Sequence, residues 1–285
     1  MGTYLSGSRW WRSLLGQHPQ IAPPRDSWAQ NFFNRFHAER FEERDIAEYH
    51  QIFRRREGQI AGEWSDRYSF HVWTAPLLKR AAPDVKVLVM VRDPVERYRR
   101  NLSLQLASER GAGLPVHMAE AFYRTRYGSQ VRALINVFGA ERVLVLQQEA
   151  CRLDPHGEYL RTLRFLGVDD TFVPRGLDAE EKPFEEVSMP WLRRLRGKRV
   201  PVPVDLWPDI ETALLRDLQQ EMADLQALAP TIDLDLWPAF ATAPSTRERR
   251  TALPKPSRMS RKLIAAAGVG AAGLAAVGIA FTDLL

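Results

Sequence analysis

The sequence predicts an α/β fold: a central parallel β-sheet flanked by helices, with an apolar helix added at the C-terminus. Three observations predict it. Residues 85–91 (VKVLVMV) and 142–146 (RVLVL) are short, near-continuous apolar runs, the pattern of strands buried on both faces. Helical patterns alternate with those runs, as crossover connections between parallel strands require. Residues 263–282 carry no charge and are nearly all Ala, Gly, Val, Leu and Ile.

Taken in order, a loop at residues 5–8 runs into a helix over 9–16. Residues 45–56 read as a second helix. The strand at 85–91 is followed by Arg92-Asp93-Pro94, and proline suits the first turn of a helix, which continues over 96–109. Residues 118–138 form a long amphipathic helix ended by Gly139. After the strand at 142–146, helices follow over 155–166, stopped by Gly167, and over 210–228. No internal repeat interrupts this order. Residues 239–262, rich in Ala, Pro, Thr, Ser and Arg, read as a basic linker. The expected division is an α/β domain over 1–238, the linker over 239–262 and the tail over 263–282.

Twenty helical residues span about 30 Å, the thickness of a bilayer's hydrocarbon core. Arg247, Arg249, Arg250, Lys255, Arg258, Arg261 and Lys262 precede the tail, and only Asp283 is charged behind it. A membrane-spanning reading puts the α/β domain on the cytoplasmic face, anchored C-terminally. Ala267, Ala271 and Ala275 at four-residue spacing would then support weak self-association. The other reading is a packed or frayed Ala/Gly-rich helix on a cytoplasmic protein.

Composition narrows the class. The 285 residues are 45% hydrophobic and 26% charged, which excludes a disordered chain, a collagen and a multi-spanning membrane protein. Cys151 alone permits no intrachain disulfide and no cysteine metal site, and fits a reducing compartment. The net charge of +5 favours anionic partners. The 34 arginines against 6 lysines, with abundant alanine, point to a bacterial genome rich in G and C. No zinc finger, RNA-binding signature or helix-turn-helix is readable, so no nucleic-acid partner is expected. Residues 1–15 are too short and polar for a secretory leader and include Arg9 and Arg12.

Two constellations carry chemistry. In Leu5-Ser6-Gly7-Ser8-Arg9, small residues let successive backbone N–H groups face one phosphate, and the helix behind favours negative charge. A plain strand-to-helix turn has the same look. GxxxxGK[ST] is absent, so a nucleoside triphosphatase or small-molecule kinase lacks its lysine and its Mg²⁺ hydroxyl. The second is Val91-Arg92-Asp93-Pro94-Val95-Glu96-Arg97, continuing to Arg100 and Ser103. An arginine at the C-terminal end of a parallel strand lies where open α/β sheets bind ligands, and can grip a phosphate with two parallel hydrogen bonds. Asp93 is a natural N-cap. Arg97 and Arg100, one and two turns on, are expected to return toward that mouth. The alternative is a solvated, salt-bridged helix face.

Together these segments resemble sulfotransferases that use 3′-phosphoadenosine 5′-phosphosulfate (PAPS), of the heparan and aryl type. Ser6-Gly7-Ser8 with Leu14-Leu15-Gly16-Gln17-His18-Pro19 is similar to the 5′-phosphosulfate loop and its helix. Pro23-Pro24-Arg25 through Phe32-Phe33 resembles the substrate-side segment, and Gly62-Glu63-Trp64-Ser65 the GEKTP or GEWTP strand. Residues 87–97 resemble the 3′-phosphate motif and are the most specific match. Tyr127-Gly128-Ser129-Gln130-Val131, residues 143–146 and Phe165-Leu166-Gly167 complete it. The resemblance covers residues 1–237. It implies a P-loop, nucleotide-kinase-like fold, PAPS as cosubstrate and no metal. Ser6, Gly7, Ser8 and Arg9 would hold the 5′-phosphosulfate, and Arg92 and Arg100 the 3′-phosphate.

The departures are specific. Leu5 stands where the family has a catalytic lysine or arginine, a loss of stabilisation where charge develops; Arg9 is the nearest substitute. Arg100 stands where the family has a phosphate-binding serine, with Ser103 a further candidate. Trp64 stands where some relatives have lysine. A gapped reading puts Arg25-Asp26 in the place of the family's Lys-Glu pair, so Asp26 or Glu63 would take the acceptor's proton. His18 reads as a packing histidine at a helix end. Trp10 or Phe33 are candidates to stack on adenine or line the acceptor pocket. The basic cluster Arg193, Arg194, Arg196, Lys198 and Arg199 resembles a loop some sulfotransferases use on the 3′-phosphate, and reads equally as a solvated or lipid-facing patch. Only Met1 to Tyr4 precede the loop, so a start further upstream is expected rather than a very short first strand. The resemblance implies sulfuryl transfer from PAPS to a hydroxyl or amine acceptor; the alternative is a degenerate member that binds nucleotide, or acts as a scaffold, without catalysis.

Overall fold

The computed structural model describes residues 5–27, 30–107, 114–179, 206 and 208–241. The chain divides into two compact units, Met1–Ala243 and Pro244–Leu285. The second unit, with the linker from 242 onward and the apolar tail at 263–282, lies outside the described residues, as does the basic cluster at 193–199. Among the described residues no helix is long and apolar enough to cross a membrane.

The first unit is mixed α/β. In chain order it holds α1 (Ser8–Leu15), β1 (Ile21–Ala22), a 3-10 helix (Phe32–His37), α2 (Glu43–Gln51), β2 (Ile60–Ala61), α3 (Thr74–Ala81) and β3 (Val87–Val91). These are followed by α4 (Pro94–Ala107), α5 (Leu114–Tyr123), α6 (Tyr127–Phe138), β4 (Val143–Gln147), α7 (Gln148–Leu153), α8 (Pro155–Leu166) and α9 (Pro208–Leu228). The expected single sheet is observed, among the described residues, as two parallel pairs: β1 with β2, and β3 with β4 in the register Val87↔Val143 to Val91↔Gln147. Pro23 and Pro24 directly after β1 donate no ladder hydrogen bond, which keeps that pair to two residues a strand.

The two central strands explain their own sequences. Val87, Val89, Val91 and Val145 face one core with α3, α6, α9 and the aromatic group Phe33, Phe36, Phe41, Tyr49 and Tyr68. Met90 and Leu146 face a second core with Trp11 and Leu14 of α1 and Tyr159 and Leu163 of α8. Both faces are covered by helices, so an unbroken apolar run is required rather than an alternating one.

Several boundaries differ from the sequence expectation. The helix expected over 118–138 is two, α5 and α6, separated at Arg124–Arg126. The break is held both from within the segment and from α9. Gln130 Nε2 donates to the Tyr123 carbonyl at the end of α5, and the Glu221 carboxylate of α9 accepts from the Ser129 amide at the start of α6. Gly62-Glu63-Trp64-Ser65 leaves β2 without a continuous ladder of its own among the described residues: Gly62 N–H donates to the Ala22 carbonyl at 3.3 Å, and Trp64 forms an isolated β-bridge. α2 stops at Gln51, where Phe53 instead bridges to Pro24. α8 is bracketed as expected, with Asp154 accepting from the Gly157 amide and Gly167 at φ +78°.

Candidate functional site

The loop before α1 lies against the C-terminal edge of the β3–β4 pair. Gly7, the residue before α1, sits at φ +84°. A Cβ there would come within 2.8 Å of the Gln148 γ-carbon, at the start of α7 just past β4, and 3.6 Å from the Met90 sulfur of β3. Glycine is therefore required both by conformation and by close approach. Leu5 also has positive φ, at 71°, which costs a non-glycine residue roughly 1–2 kcal/mol. α1 has no acidic residue in its first turn and no side-chain cap. Gly7 offers no side chain to its leading amides, and a helix N-terminus opening onto a small-residue loop is an arrangement suited to an anion.

Ser6 is fully buried, and Ser8 is 8% exposed. Ser8 Oγ accepts a 3.0 Å hydrogen bond from Trp64 Nε1. Arg9 is exposed, with its guanidinium 6.0 Å from the centroid of the Trp64 ring. Arg12 follows one turn on; burial, and then repulsion from Arg9, lower its pKa. Two arginines of α1 thus lie just after the loop, and Trp64 brings the segment after β2 onto it.

That segment carries Glu63. Its carboxylate accepts from the Tyr49 hydroxyl at 2.7 Å and from Tyr68 at 3.5 Å. Burial pushes the Glu63 carboxyl up to about 7, against the Tyr49 hydrogen bond, which favours the ionised form. Burial and the adjacent carboxylate raise both tyrosines. The Tyr68 hydroxyl also accepts from the Phe33 amide at 3.2 Å, tying the acid to the 3-10 helix. Glu63, Ser8, Arg12, Tyr49, Trp64 and Met90 line one cavity of about 760 Å³.

Arg92 leaves the end of β3 and is 7% exposed. Asp93 caps α4 as expected, its Oδ1 accepting from the Val95 and Glu96 amides. Burial, with Glu149 nearby, pushes the Asp93 carboxyl up to about 6. Glu149 Oε1 accepts from the Asp93 amide and Oε2 from Trp237 Nε1, so α7 fixes the turn that carries Arg92 to the C-terminal segment. Sequence reasoning missed Glu149, Tyr49 and Trp237, which act at separations no local pattern reports.

Of the other candidate residues, Arg97 and Phe33 depart from expectation and His18 follows it. Arg97 does not return to the mouth; it is fully buried and donates from Nη2 to the Ala121 carbonyl, and burial lowers its pKa. Arg100 is held by Glu96, Nε to Oε1 at 2.7 Å. Asp26 is exposed in the loop after Pro24, and no described contact brings it to residues 5–9. Phe33 is fully buried in the core and is no stacking platform. Trp10 lies under the Arg152 guanidinium at 3.5 Å. His18 is a packing residue: Nδ1 accepts from the Gln20 amide, Nε2 meets the Asp169 carbonyl at 2.8 Å, and the ring packs edge-on against Phe172. Among the described residues no group of three His, Cys, Asp or Glu could hold a metal.

The model of a family described as the Sulfotransferase family matches residues 1–172. No curated protein matches the chain. Among solved structures, a sulfotransferase from Alicyclobacillus acidocaldarius is 27% identical with a TM-score of 0.61, over 83% of this chain and 96% of that one. The sulfotransferase domain of the Synechococcus PCC 7002 olefin synthase is 16% identical with a TM-score of 0.45, over 100% of this chain and 94% of that one.

Proposed function

Since the chain belongs to the sulfotransferase family, we infer that it transfers a sulfuryl group from PAPS to a hydroxyl or amine acceptor. The observation that carries the reading is the packing of Gly7 against Gln148 and Met90 at the C-terminal edge of β3 and β4, where a Cβ would not fit. That leaves a backbone cradle at a helix N-terminus, on the same strand ends as Arg92. The residues present fit a nucleotide with phosphates at both ends.

PAPS, when bound, supplies a sulfuryl group on a phosphate leaving group. The backbone and hydroxyls of Ser6, Gly7 and Ser8 would hold the 5′ end, with Arg9 adding positive charge where the leaving oxygen develops negative charge. Arg92 and Arg100 would grip the 3′-phosphate. Glu63 would take the acceptor's proton. A carboxyl at about 7 beside Tyr49, in the cavity that Ser8 also lines, suits a general base near neutral pH. Asp26, exposed and away from these groups, is the weaker candidate.

Calorimetric titration with adenosine 3′,5′-bisphosphate and adenosine 5′-monophosphate tests the nucleotide half of this reading. The bisphosphate should bind more tightly, and Arg92→Ala should remove about 1.5–3 kcal/mol of that binding, the scale of a charge-assisted hydrogen bond. Equal affinity for the two nucleotides would end the reading. Labelled PAPS tests transfer. Leu5, uncharged where a cation would assist departure, favours a second reading, a nucleotide-binding member without catalysis. Binding together with absent transfer would establish it.

A further inference from the structure

We propose that Trp64 is a positioning residue that fixes the Ser8 hydroxyl as a hydrogen-bond donor to the anion at the N-terminus of α1. The proposal rests on the function inferred above and concerns the same site.

An indole N–H only donates; a serine hydroxyl has one proton and two acceptor lone pairs. Trp64 Nε1 stands 3.0 Å from Ser8 Oγ, so the indole occupies a lone pair of that oxygen. The Ser8 proton must then point away from the ring. Among the described residues nothing accepts it, although Ser8 is more than nine-tenths buried. A buried hydroxyl with an undirected proton is costly to leave so, which makes an acceptor part of the expected bound state. Ser8 is the first residue of an α1 that has no side-chain cap. Its hydroxyl and the leading amides of the helix therefore serve one acceptor together, and an anion is the acceptor that satisfies both.

The second contact strengthens the assignment. The Arg9 guanidinium lies over the same indole, at 6.0 Å from its centroid, within the outer reach of a cation–π contact. Trp64 thus engages Ser8 through its edge and Arg9 through its face. One side chain, from the loop after β2, holds two adjacent groups that the proposed function gives to the 5′ end of the nucleotide.

The test uses the full chain with two probes, adenosine 3′,5′-bisphosphate and adenosine 3′-monophosphate, by calorimetry. Trp64→Phe keeps the ring face and removes the N–H. It should weaken the bisphosphate roughly three- to tenfold, the scale of one neutral hydrogen bond. It should leave the 3′-monophosphate unchanged, because Ser8 serves only the 5′ end. Ser8→Ala should weaken the bisphosphate at least as much. The double variant should bind no worse than Ser8→Ala alone, since the indole acts through that hydroxyl. Equal losses for both probes would mark Trp64 as merely structural and overturn the proposal. So would wild-type affinity in Trp64→Phe, or additive losses in the double variant. A wild-type chain that binds neither probe would instead overturn the inferred function itself, before any variant is made.

Discussion

The Glu63 carboxylate accepts a 2.7 Å hydrogen bond from the Tyr49 hydroxyl, and that bond and the burial of the acid pull the Glu63 pKa in opposite directions. Burial disfavours the charged form and wins, leaving the carboxyl at about 7. If Glu63 is the base, sulfate transfer should rise with pH through about 7 and that limb should vanish in Glu63→Gln. Tyr49→Phe removes a bond to the ionised form, so the limb should move to higher pH. A pH–rate profile with a limb unmoved in Tyr49→Phe would remove the pair from the mechanism.

Stability gives a second reading of the same group that needs no activity. The folded pKa of about 7 lies above the ordinary 4.5. Such an acid contributes stability fully below about 4.5, and that contribution is lost as pH rises through 7. Glu63→Gln, which cannot ionise, should therefore be more stable than wild type above pH 7, by on the order of 2–3 kcal/mol. The gap should close toward pH 5. Urea titrations at three pH values measure it; a gap that is constant with pH would show that Glu63 is not held at a raised pKa.

Glu96 offers a test of Arg100. Its Oε1 holds Arg100 Nε at 2.7 Å, with the glutamate 41% exposed and the arginine 20%. A 3′-phosphate at Arg100 would compete with this carboxylate. Glu96→Gln should then tighten adenosine 3′,5′-bisphosphate by about two- to fivefold, the range of a partly exposed ion pair. Adenosine 5′-monophosphate should be unaffected. Weaker bisphosphate binding in this variant would take Arg100 out of the phosphate site.

What the sequence made legible follows from what is local. β3 and β4 were readable because both faces are covered, which forces an apolar run. The start of α4 and the end of α8 were readable because Asp93 and Gly167 act on amides and carbonyls within a few residues. The brevity of β1 and β2 was not, since two residues have no periodicity. Nor was the break between α5 and α6, whose cause includes Glu221, 92 residues from Ser129. The loop and Arg92 stood out as motifs. Their supports did not: Trp64 reaches Ser8 across 56 residues and Trp237 reaches Glu149 across 88. A motif names a first contact, while its positioning partner is chosen by the fold.

Leu5 combines a strained backbone with a missing charge. At φ +71° it occupies the left-handed region. Leu5→Gly should relieve that strain and stabilise the fold by up to about 1 kcal/mol, offset in part by the loss of a half-buried side chain. Leu5→Lys keeps the strain and adds a cation beside the 5′ end. It should raise sulfate transfer, or create it where the wild type shows none. A fall in transfer by Leu5→Lys in an active enzyme would show that another group, such as Arg9, already serves there.

A buried carboxylate joins α6 to α9. Glu221 of α9 is nearly buried, and its carboxylate accepts three hydrogen bonds: from the Ser129 amide at 2.8 Å, Ser129 Oγ at 2.6 Å and Arg126 Nε at 2.9 Å. It therefore caps the N-terminus of α6 from another helix, where negative charge is also favoured by the helix dipole. The helices approach closely enough that a Cβ on Gly128 would lie 2.4 Å from the Glu221 carbonyl. Glu221→Ala removes the cap and strands the Ser129 amide without its acceptor. We expect a loss of roughly 2–3 kcal/mol, the scale of a cap whose removal leaves a buried donor unpaired. Glu221→Gln keeps an acceptor for the amide and loses the charge opposite Arg126, so its loss should be smaller. Gly128→Ala should also destabilise, because the neighbouring atom is backbone and cannot swing away. Urea denaturation with an unchanged m-value would report these as stability changes alone. A Glu221→Ala variant within about 0.5 kcal/mol of wild type would mean that the joint is carried by the apolar contacts of Leu134, Met222 and Leu225 and not by the cap.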